Sequence, residues 1–243
     1  MEEYANASDY EGARNVLYIE YVDDYTFFKL IGDVTDKAVL DIGCGLGEHT
    51  RKLRQMGAAK VVGMDLTPDL IELARQKESA CPLGIEYIQK DMCNPSVVGI
   101  FDLVVAFSVL SQAPTREHLL RACQMAAGNL KSGGRFIAVG LNPEQNPETY
   151  PLCEKYGFKV SLSGNLTEGA MITSNLHIDG NDLIFKDYYM SHAIYEWALR
   201  TAGFQVIRWH SPLVSPEGVR QFGSEFWQDF IQCQMSLYIE CVK

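Results

Sequence analysis

Positive charge is in short supply. Lys and Arg number 21 against 31 Asp and Glu, which gives a net charge of −10. No run of Lys and Arg forms a basic stripe, and an acidic surface repels phosphate backbones. A nucleic-acid partner is therefore not expected, and a small molecule fits better. Histidine is scarce, at five residues, and none of the seven cysteines falls in a CxxC pair or at metal-ligand spacing. No metal site is expected. An odd cysteine number without a disulfide framework reads as reduced thiols in the cytoplasm. Long apolar runs are missing too. The stretch Ile100 to Leu110 is broken by Asp102 and is far too short to cross a bilayer. The opening residues, MEEYANASDYEG, lack the basic and apolar regions of a signal peptide.

Core-forming material is plentiful, with 47% hydrophobic residues in 243. That suits one α/β domain with an insertion. Residues 12–32 read as a helix: Leu17, Tyr18, Tyr21, Tyr25, Phe28 and Ile31 recur at three- and four-residue steps, with acids between them. Strands are then expected at 37–42, 60–65, 85–89, 101–107 and 134–140. Helices alternate with them at 45–56, from Thr67 and at 115–130. This rhythm predicts a mostly parallel sheet with helices on both faces. Thr67 is expected to cap its helix through its hydroxyl, with Pro68 at the first helical position.

The rhythm breaks after residue 140. Residues 141–190 are polar and glycine-punctuated, and an Asp179-Gly180 turn suggests a hairpin. They read as a β-rich insertion after the fifth strand, too small for a core of its own. A Ser191-capped helix to Ala202, a strand to His210, a helix over 216–231 and a last strand from Met235 close the domain. The chain thus divides into an N-terminal lid and helix (1–34), a core (35–140), a substrate cap (141–190) and closing elements (191–243).

The most informative stretch is VLDIGCGLGEHT, Val39 to Thr50. A strand ends in Asp41, and Gly43, Cys44, Gly45, Leu46 and Gly47 turn into a helix. A dinucleotide site wants GxGxxG with a pyrophosphate at the helix start. This pattern is GxGxG, preceded by a carboxylate that sits badly beside a pyrophosphate but suits the ammonium of a methionine moiety. Asp65 ends the second strand, beside Leu66, where an acid can bind both ribose hydroxyls. Asp91 follows the third strand and can accept from an adenine amino group, while Met92 packs on the ring. Phe107 and Ser108 end the fourth strand and face the methionine part.

This ordered set resembles the class I S-adenosylmethionine-dependent methyltransferases. The resemblance implies a doubly wound, seven-stranded, mostly parallel Rossmann-like sheet with an antiparallel final strand. It also implies S-adenosylmethionine as cofactor and S-adenosylhomocysteine as product, with Asp41, Gly43, Asp65, Asp91 and Met92 in contact with it. The phrases YTFFKL, NPEQNPETYPLCEKYGF, YYMSHAIYEWALRTAGF and VSPEGVRQFGSEFWQDF resemble the toxoflavin-biosynthesis N-methyltransferases. They imply a planar nitrogen heterocycle as acceptor. An O-methyltransferase of a small phenolic or carboxylic metabolite stands as the alternative, as does a cofactor-binding regulator without catalysis.

Methyl transfer needs positioning more than a catalytic dyad. Tyr188, Tyr189 and His192 cluster at the end of the insertion, where the rings can sandwich a flat acceptor. Tyr188 and His192 are the catalytic candidates, although a first-turn histidine is as readily bonded locally. His177 is a further acceptor-site candidate, and Tyr10 with Tyr4 is placed to close over the cofactor. Glu48 and His49 lie on the first helix beside the cofactor, and a solvated face explains them almost as well. Trp209 ends a strand on the ligand edge but is more readily core, and Phe222, Phe226, Trp227 and Phe230 read as core. Oligomeric state is not legible.

Overall fold

A computed structural model describes residues 16–178 and 181–243, apart from the side chains of residues 177–178 and 181–182. Tyr4, Tyr10, the Asp179-Gly180 turn and the His177 side chain lie outside what is described.

A π-helical turn, Ile19–Asp23, runs into α1 (Asp24–Ile31). The alternating section follows: β1 (Ala38–Ile42), α2 (Glu48–Gln55), β2 (Lys60–Asp65), α3 (Pro68–Ala80), β3 (Glu86–Gln89), β4 (Phe101–Phe107), α4 (Arg116–Gly128) and β5 (Leu130–Leu141). The insertion contributes a 3-10 helix (Pro147–Tyr156), β6 (Phe158–Leu162), β7 (Met171–Ile178) and β8 (Asn181–Tyr188). The chain closes with α5 (His192–Ala202), β9 (Val206–His210), α6 (Pro216–Phe222), α7 (Gln228–Cys233) and β10 (Ser236–Val242).

Seven strands form one sheet in the order β3-β2-β1-β4-β5-β10-β9. The contacts among β1 to β5 are parallel, and β10 runs antiparallel to both β5 and β9. Strand order reverses between β1 and β4, so their C-terminal tips open a crevice, the usual ligand position in such sheets. Apolar residues alternate between its two faces: Leu40, Ile42 and Val104 pack under α4 and α5, while Val39, Val61 and Val105 pack with Phe27 and Ile71.

Four expectations change. The insertion is more than a hairpin, because β6 adds a third strand in the order β6-β7-β8. It has no core of its own. Tyr156, Phe158, Ile172 and Leu176 pack with Val22, Trp227 and Phe230 from outside it, so the insertion completes its core with its neighbours. The helix expected over 216–231 breaks at Gly223, whose φ of 80° ends α6, although Trp227 and Phe230 are buried as expected. Thr67 occupies the cap position of α3 without a side-chain cap bond. Its own backbone N–H instead donates to Asp65 Oδ1 at 2.9 Å, the carboxylate being the stronger acceptor two residues away. Ser191 behaves alike: it makes no side-chain cap bond, and its N–H donates to Glu168.

Candidate active site

The glycine turn joins β1 to α2, and its backbone N–H groups are committed within the protein. Gly43 and Cys44 both donate to the Met64 carbonyl, at 2.7 and 2.9 Å, and Gly47 donates to the Cys44 carbonyl. Gly45 donates to Asp65 Oδ2 at 2.9 Å. These four groups are not offered as an anion nest, which argues against a pyrophosphate. The turn instead provides close approach. A Cβ on Gly43 would sit 2.7 Å from Val109 Cγ2.

Asp41 lies in β1 between Gly63 of β2 and Val105 of β4 and is only 1% exposed. The Thr50 hydroxyl of α2 donates to its Oδ2 at 2.6 Å. Its charge is therefore fixed beneath the turn instead of projecting freely into the crevice. Asp65 is held by Gly45 and Thr67, one oxygen each. A carboxylate oxygen accepts more than one bond, so ribose hydroxyls still have acceptors there. Burial raises the Asp65 pKa, and the bonds from Thr67 and Gly45 oppose that shift. Asp91 accepts from the Cys93 N–H at 2.8 Å, and Met92 beside it is buried. Gln89 donates to the Leu66 carbonyl. Ser108 ends the series after β4 with φ at 52°, a left-handed conformation uncommon for serine.

The tips of β3, β2, β1 and β4 are adjacent in the sheet. A ligand laid across them spans three strand spacings, about 14 Å. Acids at β3 and β2, a glycine turn at β1 and a strained serine at β4 fit the adenine, ribose and methionine parts of S-adenosylmethionine in that order. That cofactor supplies a methyl group activated by a sulfonium.

A cavity of about 950 Å³, counting its mouth, begins at Gly43, Cys44 and Ser108 and runs beneath the β6-β7-β8 sheet. Tyr18, Phe107, Phe158 and Phe185 supply its rings. Two buried carboxylates, Asp23 and Asp187, face it. Asp23 accepts from Tyr238 Oη and Ser236 Oγ of β10, at 2.5 and 3.1 Å. Burial pushes its pKa up to about 7 against the lowering effect of those bonds. Asp187 accepts from Ser111 Oγ at 2.6 Å, and burial pushes it up to about 6. His49 also lines the cavity, which sets aside the solvated-face alternative. It is 5% exposed, packs on Phe107 with ring centroids 4.3 Å apart, and its Nε2 lies 2.8 Å from Asp24 Oδ1.

The cluster proposed from sequence lies elsewhere. Tyr188, Tyr189 and His192 are not among the residues lining this cavity. His192 stands edge-on to Trp209 with ring centroids 3.6 Å apart, and its Nδ1 is 3.5 Å from Glu144. Tyr188 pairs with Met171 across β7 and β8. Trp209 thus packs on α5, and His210 pairs with Glu240. Among the described residues, no group of three or more His, Cys, Asp or Glu is placed to hold a metal. No helix there is long and apolar enough to cross a membrane.

The raised carboxyls carry a stability signature. Each folded-state pKa lies above the unfolded value of 3.8, so the folded chain holds the proton more tightly. Their contribution to stability is full below pH 4 and is lost as pH rises through about 6 and 7. Asp23→Asn should therefore gain stability relative to wild type between pH 5 and pH 8, on the order of a few kcal/mol. Denaturant melts of both proteins at the two pH values check this; parallel pH slopes would remove Asp23 from the argument.

This strand order, with an antiparallel closing strand, a glycine turn after β1 and acids at the next two tips, defines the class I S-adenosylmethionine-dependent methyltransferase fold. Residues 39–134 match the family described as "Methyltransferase domain". A putative S-adenosylmethionine-dependent methyltransferase from Listeria monocytogenes superposes with a TM-score of 0.63 at 25% identity, covering 90% of this chain and 95% of that one. The ubiquinone biosynthesis O-methyltransferase of Xanthomonas euvesicatoria is 28% identical over 80% of this chain and 71% of its own length. The ribosomal protein L11 methyltransferase of Burkholderia ambifaria is 34% identical over 49% of this chain. The chain spans 37% of the length of that relative. The Listeria protein is named for its dependence on S-adenosylmethionine, and the fold and the motif of this domain fit the same cofactor.

Proposed function

We propose that the protein transfers the methyl group of S-adenosylmethionine to a small planar acceptor, at a nitrogen of a heterocycle. One observation carries this reading: the cavity starts where the methionine end of the cofactor would lie and continues under the insertion between aromatic walls. Flat faces at Tyr18, Phe107, Phe158 and Phe185 suit a flat ring. The phrases along the chain that resemble the toxoflavin-biosynthesis N-methyltransferases support the same acceptor class.

The protein's task is to orient. Its strand tips fix the cofactor, and its cavity walls hold the acceptor atom in line with the sulfonium carbon. Buried carboxylates in those walls disfavour an anionic acceptor, which speaks against carboxylic acids. O-methylation of a neutral phenol is the second reading, favoured by the ubiquinone-biosynthesis relative.

Incubation with S-adenosylmethionine and a panel of planar N-heterocycles and phenols, with product masses read, tests this. S-adenosylhomocysteine should form together with an N-methylated product. Methylation of phenols alone would move the reading to the second, and cofactor binding without any product would leave a regulator. Asp65→Ala should weaken S-adenosylmethionine binding by about 1.5–3 kcal/mol, the scale of charge-assisted hydrogen bonds. Calorimetry on the folded variant decides it, and an unchanged affinity would take Asp65 out of the site.

A further inference from the structure

Strand β8 presents an alternating face to the cavity. Leu183 and Asp187 are buried and Phe185 lines the cavity, while Ile184, 50% exposed, and Lys186 point outward. A carboxylate therefore stands where the pattern calls for an apolar residue. Burying it costs several kcal/mol unless partners compensate. Ser111 gives one hydrogen bond to Oδ1, and no other donor to Asp187 is present among the described residues. Asp23 differs, because both of its oxygens already accept from β10.

Position adds to this. Ser111 belongs to a 3-10 turn, Leu110–Gln112, that follows β4 directly. The 2.6 Å bond ties the insertion to the strand whose tip carries Ser108. Asp187 is thus anchored beside the end of the cavity where the methyl group would be delivered. The cavity as a whole is electronegative. Asp23 from the N-terminal helix, Glu48 from α2 and Asp187 from β8 line it with His49, and no Lys or Arg is among its described lining residues.

We propose that the acceptor presents an N–H to the open oxygen of Asp187, and that this carboxylate accepts the proton released on methylation. The proposal rests on the assignment of the cavity to the methyl acceptor. The nitrogen lone pair forms the N–CH3 bond as the S–CH3 bond breaks, and that bond's electron pair stays on sulfur as S-adenosylhomocysteine. The N–H pair remains on nitrogen, and the proton passes to Asp187 and then to water. A neutral N–H, a sulfonium and a carboxylate become a neutral N-methyl product, a thioether and a carboxylic acid, so charge balances. Burial holds the Asp187 pKa near 6, mostly ionised at neutral pH yet basic enough to take a proton. Ser111 bonds to it, Tyr18 and Tyr195 lie within reach of its charge, and Asp23, Glu48 and His49 face the same cavity.

Benzamidine is the probe: planar, cationic across the pH range used, and a double N–H donor. Calorimetry without cofactor should show it binding wild type, with affinity falling as pH drops through about 6. Asp187→Asn should bind it roughly ten- to a hundredfold more weakly and lose most of that pH dependence. Ser111→Ala, which retains the carboxylate but removes the bond that lowers its pKa, should shift the midpoint upward. Benzoate should not bind. Benzoate binding as well as benzamidine, pH-independent benzamidine binding, or an unaffected Asp187→Asn variant would each overturn the proposal. Titrating S-adenosylmethionine into the same samples separates the levels. Failure to bind it overturns the methyl-transfer reading and the base role with it, whereas normal cofactor binding with indifference to benzamidine overturns the Asp187 assignment alone.

Discussion

Asp41→Asn should fold normally and bind S-adenosylmethionine roughly ten- to a hundredfold more weakly than wild type. The carboxylate is almost wholly buried and is held by the Thr50 hydroxyl at 2.6 Å. An asparagine oxygen accepts the same bond in the same volume, so packing and helix position survive. What disappears is a negative charge under a turn that faces a cofactor carrying a sulfonium and an ammonium. At an effective dielectric of about 20, such a buried charge interaction is worth about 1–3 kcal/mol. Burial first and then the neighbouring Asp41 carboxylate push the Cys44 thiol pKa up. Adenosine separates electrostatics from distortion. It carries no charge, so both proteins should bind it alike. If adenosine loses as much affinity as S-adenosylmethionine, the variant has moved the turn and the charge argument fails.

The glycine turn and the strand tips are legible in sequence because each element is local. A strand that ends in an acid and a glycine turn sets its own backbone, and the strand rhythm then orders the tips that carry Asp65 and Asp91. The acceptor half depends on contacts far apart in the chain. Asp23 reads as part of a polar helix face between aromatic residues. The π-helical turn Ile19–Asp23 alters the residue spacing at that point, and Asp23 is buried against β10 instead. Period 3.6 cannot reveal a local change of period. Asp187 was within reach, since strict alternation along Leu183, Phe185 and Asp187 already places the carboxylate on the apolar face. Tyr188 and Tyr189 next to it carry the more conspicuous aromatic pattern. His192 shows the converse. Its type and position suit catalysis, but the last strands bring Trp209 against its ring, a pairing that no local pattern announces. The 3-10 helix over Pro147–Tyr156 escaped for a simpler reason. Its buried residues Tyr150, Cys153 and Tyr156 recur every three positions, and Pro151 lies within it, so neither the helix nor the strand period matches.

Gly47→Ala should be strongly destabilising. Gly47 starts α2 with φ at 80°, a backbone that costs an L-residue about 1–2 kcal/mol. Its Cβ would also fall 2.3 Å from the Tyr87 hydroxyl and 2.7 Å from the ring. A long side chain can sometimes swing aside, but Tyr87 is boxed in. It is 5% exposed, and a Cβ on Gly63, at the other side, would already be 2.9 Å from the same ring. The helix start must therefore shift, and overpacking of this kind adds about 1–3 kcal/mol. Because the shift occurs in the turn whose N–H groups hold Asp65 and the Met64 carbonyl, cofactor affinity should fall at least about tenfold as well. Gly84→Ala is the matched control. It has nearly the same φ, 79°, with nothing within 4 Å of its Cβ. That variant should lose only the backbone cost, about 1–2 kcal/mol, and bind S-adenosylmethionine like wild type. Urea melts and cofactor titrations of the two variants resolve the packing component directly. Equal losses of stability with unchanged affinity in both would mean that Tyr87 yields and that the turn tolerates a side chain.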